Sequence, residues 1–121
     1  MLPAPNRLRE RSDFTSAVRS FGGCRAGSRL LVVHATSTGA RAGLPPRVGF
    51  VVSKAVGGAV VRNRTKRRLR ALVAQRLDGI PTSVDLVVRA NPPAGQASSR
   101  ELQQALDPLL RRVVKELGGV A

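Results

Sequence analysis

Residues 60–70 read VVRNRTKRRLR, six cationic side chains and one amide within three helical turns. Arg62, Arg64, Lys66, Arg67, Arg68 and Arg70 carry the charge, and Asn63 carries the amide. None of these groups is an ordinary nucleophile or proton-transfer group at neutral pH. Their chemistry is recognition: the guanidinium is a planar fork that grips phosphate bidentately, and an amide can bond phosphate, sugar or base edge. So dense a positive field repels itself and adds nothing to a core, so its physical use is to lie against a polyanion. An exposed helix normally mixes charge signs to gain i,i+4 pairs. Here no acidic residue occurs between Val60 and Leu77.

The rest of the chain offers little bond-making chemistry. Its seven acids are Glu10, Asp13, Asp78, Asp85, Glu101, Asp107 and Glu116, and no pair falls at metal-ligand or acid–base spacing on one element. No catalytic residue and no protein-held metal is therefore expected. His34 is the single histidine and sits in the apolar run LLVVHA, so it reads as a strand residue rather than a ligand. Cys24 is alone, which excludes an internal disulfide and a cysteine metal cluster. The net charge is +14, with 18 Arg against Lys54, Lys66 and Lys115. That balance implies nucleic acid first and an anionic membrane surface second. No apolar run is long enough to span a bilayer, and the N-terminus MLPAPNRLRERSDF lacks the apolar stretch of a secretory signal. The simplest compartment is the cytoplasm.

The elements that must position the basic segment follow from periodicity. The 121 residues are read as one domain, 1–121, large enough to bury about 65% of the unfolded chain's surface. Residues 1–11 form a basic arm with Arg7, Arg9 and Arg11. Ser12 can cap a helix in which Phe14, Ala17, Val18 and Phe21 share one face. Residues 29–36 and 47–53 read as two strands, expected to pair as a hairpin. A long helix then runs from Gly57-Gly58 to about Leu77. Val61, Thr65, Leu69, Leu72 and Val73 form its core stripe, while Asn63, Lys66, Arg67 and Arg70 occupy nearly the opposite face, flanked by Arg64 and Arg68. The glycine pair is either a plain helix start or a place where backbone N–H groups approach phosphate. Residues 84–89 read as a third strand. Ser98 and Glu101 make a capping box ahead of Leu102, Leu106, Leu109, Val113 and Leu117. Pro108 either kinks that helix or starts a second one capped by Asp107.

The order α-β-β-α-β-α describes an α/β or α+β two-layer sandwich with helices on a small sheet. Phe14, Phe21 and Phe50 are the only aromatics, too few to argue base stacking from pattern. A structural RNA-binding protein fits this composition. A protein-only nuclease would need clustered carboxylates or a partnered histidine. A membrane-surface helix conflicts with the apolar stripe, which the core requires.

Several segments together resemble the protein subunit of bacterial ribonuclease P. That family shows a basic arm ending Asn-Arg-Leu and a helix opening Asp-Phe, matched by Asn6-Arg7-Leu8 and Asp13-Phe14. Its strand Arg-Val-Gly-x-x-Val-Ser-Lys is matched by residues 47–54, and its signature Gly-Asn-Ala-Val-x-Arg-Asn-Arg-x-Lys-Arg by residues 57–67. The resemblance spans residues 6 to about 117.

It implies a fold like domain two of ribosomal small-subunit protein five, with a left-handed βαβ crossover through the basic helix. It implies binding to a catalytic RNA and to precursor tRNA, with magnesium-dependent removal of the 5′ leader performed by the RNA, which holds the magnesium. The protein alone is expected to be a monomer. Carried onto this chain, Arg62, Asn63, Arg64, Lys66, Arg67, Arg68 and Arg70 contact the catalytic RNA. Asn6, Arg7, Arg9, Arg11, Phe14, Phe21, Ser53 and Lys54 serve the leader cleft. Two departures stand out: Gly58 replaces the motif Asn, and Val18 and Val33 occupy positions where the family often has aromatics.

Overall fold

The computed structural model describes residues 23–37 and 43–117. The expected first helix and basic arm, with Asn6, Arg7, Arg9, Arg11, Phe14, Val18 and Phe21, lie outside the described residues.

Four strands form one mixed sheet: β1 (Cys24–Gly27), β2 (Leu31–Ser37), β3 (Arg47–Val51) and β4 (Val84–Ala90), in the order β1-β2-β4-β3. β4 is VDLVVRA, and all but Arg89 of it is buried. So apolar a strand is stable only with a neighbour on each side, and it pairs antiparallel with β2 and parallel with β3. The expected β2–β3 hairpin is therefore not formed, because β4 lies between those strands. β1 was not expected at all: CRAG has little β propensity, and it is held as a short edge by a turn in which Ser28 N–H bonds Leu31 O at 2.7 Å.

Among the described residues two helices complete an α+β fold: α1 (Ala59–Ala74) and α2 (Ser99–Leu117). α1 carries the chain from β3 to its parallel neighbour β4. Its expected stripe is confirmed, with Thr65, Leu69, Leu72 and Val73 buried and Val61 partly so. Thr65 meets its polar need inside the helix, its hydroxyl donating to Val61 O at 2.9 Å. α1 stops three residues short of the expected end, because residues 77–79 tighten into a 3-10 turn.

α2 begins at the expected capping box: Glu101 N–H donates to Ser98 Oγ at 3.1 Å, and Ser98 N–H donates to Glu101 Oε1 at 3.0 Å. The helix is continuous through Pro108, so no second helix starts there. Pro108 and Gln104, whose carbonyl loses its N–H partner, are both exposed, so water can take over that bond. Leu102, Leu106, Leu109, Leu110 and Val113 press the opposite side into the core over β1 and β2.

Strand register assigns the sheet's two faces. Ala26, Leu31, Val33, Ala35, Val48, Leu86 and Val88 point toward the helices and form the core. Arg25, His34, Thr36, Arg47, Asp85, Val87 and Arg89 lie on the other face.

Candidate nucleic-acid interface

The basic helix is held at its head by two close backbone approaches. Gly57 has φ 156°, and a Cβ there would stand 2.8 Å from Val61 Cβ, so only glycine turns the chain from β3 into α1 at this point. Gly95 sits against Val56, where a Cβ would run into the Val56 carbonyl. These contacts stack the 3-10 turns Lys54–Val56 and Pro92–Gln96 beside the start of α1. Gly58 is the N-cap and has open space around it, with no side-chain cap and no acid in the first turn. The free N–H groups of that turn add a positive end to an already cationic helix.

Along α1 the seven residues divide into two kinds. Asn63, Arg67 and Arg70 are exposed, and Lys66 is partly so. Arg64 Nη2 donates to Gly95 O at 2.9 Å, and Arg68 Nη1 donates to Ala97 O at 2.7 Å. These two guanidiniums clip residues 92–97 onto the helix while keeping further donors for a ligand. The Nε atoms of Arg62 and Arg64 are shielded from solvent without an acceptor among the described residues. A buried donor left unpaired costs about 1–3 kcal/mol.

Ser53 and Lys54 are exposed and follow β3 directly, two and three residues beyond Val51, the register partner of Arg89. They therefore lie at the same end of the sheet as Arg89. Arg25 is paired in register with His34 on the same face as Arg89. Burial pushes the His34 imidazole below its ordinary range, and the Arg25 and Arg89 charges push it the same way. This patch was not read from the sequence. Strand alternation hinted at it, but only cross-strand register brings residues 25, 34 and 89 together. Arg47 is committed to Asp85 by two bonds of 2.9 and 2.8 Å.

The position of Val33 corrects one expectation. Val33 is fully buried on the helix side of the sheet, where no ligand can stack on it. The ring on the sheet's other face in β2 is His34, one residue on. Cys24 is half-buried, its thiol donating to Val113 O at 3.5 Å. Burial, with Glu116 nearby, pushes that thiol up to about 11. Among the described residues no group of His, Cys, Asp and Glu could hold a metal ion, and no helix is long and apolar enough to cross a membrane.

Comparison with known proteins converges on one family. Residues 2–114 match the family described as Ribonuclease P. The chain is 53% identical to the ribonuclease P protein component of Streptomyces bikiniensis, over 98% of each chain. It is 50% identical to that of a Nocardioides species, over 98% of this chain and all of that one. Among solved structures it resembles the Staphylococcus aureus RNase P protein, with a TM-score of 0.77 and 27% identity, covering 90% of this chain and 97% of that one. The Thermotoga maritima RNase P protein in complex with 1-(4-fluorophenyl)-2-thiourea gives a TM-score of 0.75 at 27% identity, covering 88% and 99%. With its Arg62-Asn63-Arg64 helix displayed beside a sheet of this topology, the chain belongs to the ribonuclease P protein family.

Proposed function

We propose that this protein is the subunit that binds and positions RNA in a ribonuclease P ribonucleoprotein, and that the RNA subunit performs the cleavage. Processing of the tRNA 5′ leader is the role of the family. The observation that carries the division of labour is α1: it concentrates Arg62, Asn63, Arg64, Lys66, Arg67, Arg68 and Arg70 on one element without one carboxylate. Such a surface neutralises phosphates and orders RNA; it has no group to activate water. The magnesium that the reaction is expected to need is assigned to phosphates of the RNA subunit.

The exposed Ser53 and Lys54 support a second contact, with the single-stranded leader, to which Asn6, Arg7, Arg9, Arg11, Phe14 and Phe21 are also assigned. Arg25 and Arg89, on the sheet face that ends there, extend this basic surface. The protein is expected to act as a monomer in the cytoplasm, where precursor tRNA is made.

The salt dependence of binding to the RNA subunit tests the reading. Each phosphate contact contributes about 0.9 to the slope of log K against log salt on a duplex. Arg67→Gln and Arg70→Gln should each lower that slope by about 1 and weaken binding at every salt concentration. An unchanged slope in both variants would remove α1 from the RNA interface.

A further inference from the structure

Between the second half of α1 and the head of α2 runs an open groove of about 510 Å³. Arg64, Arg67 and Arg68 line it together with the apolar Ala71 and Leu72, and Gln75 and Ser99 complete the lining. Resting on the reading of α1 as an RNA-binding helix, we propose that this groove seats one unpaired nucleotide of the RNA subunit.

The charge is complementary, since three guanidiniums and no carboxylate line the groove. The acid nearest in sequence to Ser99, Glu101, is engaged by the Ser98 N–H in the capping box. The size fits a small ligand, inside the range of about 300–1,000 Å³ of ordinary ligand clefts, and is too small to enclose a base-paired helix. Unpaired nucleotides are also the part of RNA that proteins read best, by stacking bases on guanidinium planes and bonding their edges.

The groove is organised before RNA arrives. The carbonyls of Gly95 and Ala97 fix Arg64 and Arg68 at 2.9 and 2.7 Å, so little side-chain freedom is left to lose on binding. Each bond uses one of five N–H donors, leaving others for the ligand. Arg67 is exposed and has no carbonyl anchor among the described residues, which suits it to the phosphate. The exposed Ala71 offers apolar surface to the ribose or base, and the Gln75 amide carries both a donor and an acceptor for a base edge. The groove continues directly from the face of α1 already assigned to the RNA subunit, which commits it to that RNA rather than to tRNA.

The test uses the full-length protein with a bacterial ribonuclease P RNA. Ala71→Trp fills the groove and keeps every arginine; Gln75→Ala removes the amide without adding bulk. Circular dichroism and thermal unfolding confirm folding, and Gln75→Ala carries the test if the tryptophan variant fails to fold. Ala71→Trp should weaken binding at least tenfold. One or a few unpaired bases, reactive at their Watson–Crick edges in free RNA, should be protected by the wild-type protein and reactive again with either variant. Binding within twofold of wild type with unchanged protection overturns the groove, as does protection found on precursor tRNA instead. Arg70→Gln separates the two levels. If it weakens binding while the groove variants do not, the groove fails and the reading of α1 stands. If the wild-type protein shows no salt-sensitive binding to the RNA, the reading of α1 itself fails.

Discussion

Arg64 and Arg68 show how one side-chain type serves packing and recognition together. A carbonyl bond holds each fork in place, and the remaining donors face outward with less entropy to lose. Gly57 plays the complementary part by having no side chain. Gly57→Ala should destabilise the fold by about 1–3 kcal/mol, from its positive φ and the contact with Val61. Urea unfolding measures this, and wild-type stability would show that the entry to α1 is not constrained there. Asp107 gives a pH test. The hydrogen-bonded Arg76 guanidinium holds its carboxyl below the ordinary carboxylate range, against a smaller opposing effect of burial. The folded state thus binds fewer protons than the unfolded chain. The stabilisation is full above the ordinary value of about 3.9 and is lost as pH falls through the folded value. The pair is partly exposed, so its worth is about 1 kcal/mol or less. Asp107→Asn should be less stable than wild type at pH 6 and converge with it toward pH 3; a gap independent of pH would contradict the ion pair.

At the scale of elements, α1 and α2 are built on opposite economies. α1 has a narrow buried stripe and gives most of its circumference to charge, so its stability rests on Thr65, Leu69, Leu72 and Val73 and on its glycine-dependent head. α2 has a broad apolar seam and tolerates an internal proline. Because Pro108 sits on the exposed side, Pro108→Ala should restore the N–H to the Gln104 carbonyl without disturbing the seam. A gain of about 1–3 kcal/mol is expected, below or near the full interior cost of proline. A lower melting temperature would mean that α2 depends on its proline.

At the scale of the whole molecule, a charge of +14 on 121 residues is a self-repulsion that a polyanionic partner relieves. The partner class, the basic face of α1, its core stripe and the capping box of α2 were legible in the sequence because they are local patterns. The βαβ unit through α1, with β3 and β4 parallel, was legible too, but the place of β4 between β2 and β3 was not. Sequence neighbours usually pair, and only the two-sided burial of β4 explains why it separates β2 from β3. The carbonyl partners of Arg64 and Arg68, 31 and 29 residues away, were invisible for the same reason. So was the Arg25–His34–Arg89 patch, which exists only in register. The proposed role divides the work: the protein binds and positions RNA, and the RNA subunit cleaves. Its most direct test is cleavage of a precursor tRNA by the protein and a bacterial ribonuclease P RNA at near-physiological magnesium, with each component omitted in turn. Leader release is expected with both components and none with protein alone; cleavage by the protein alone, or no stimulation of the RNA, would overturn that division of labour.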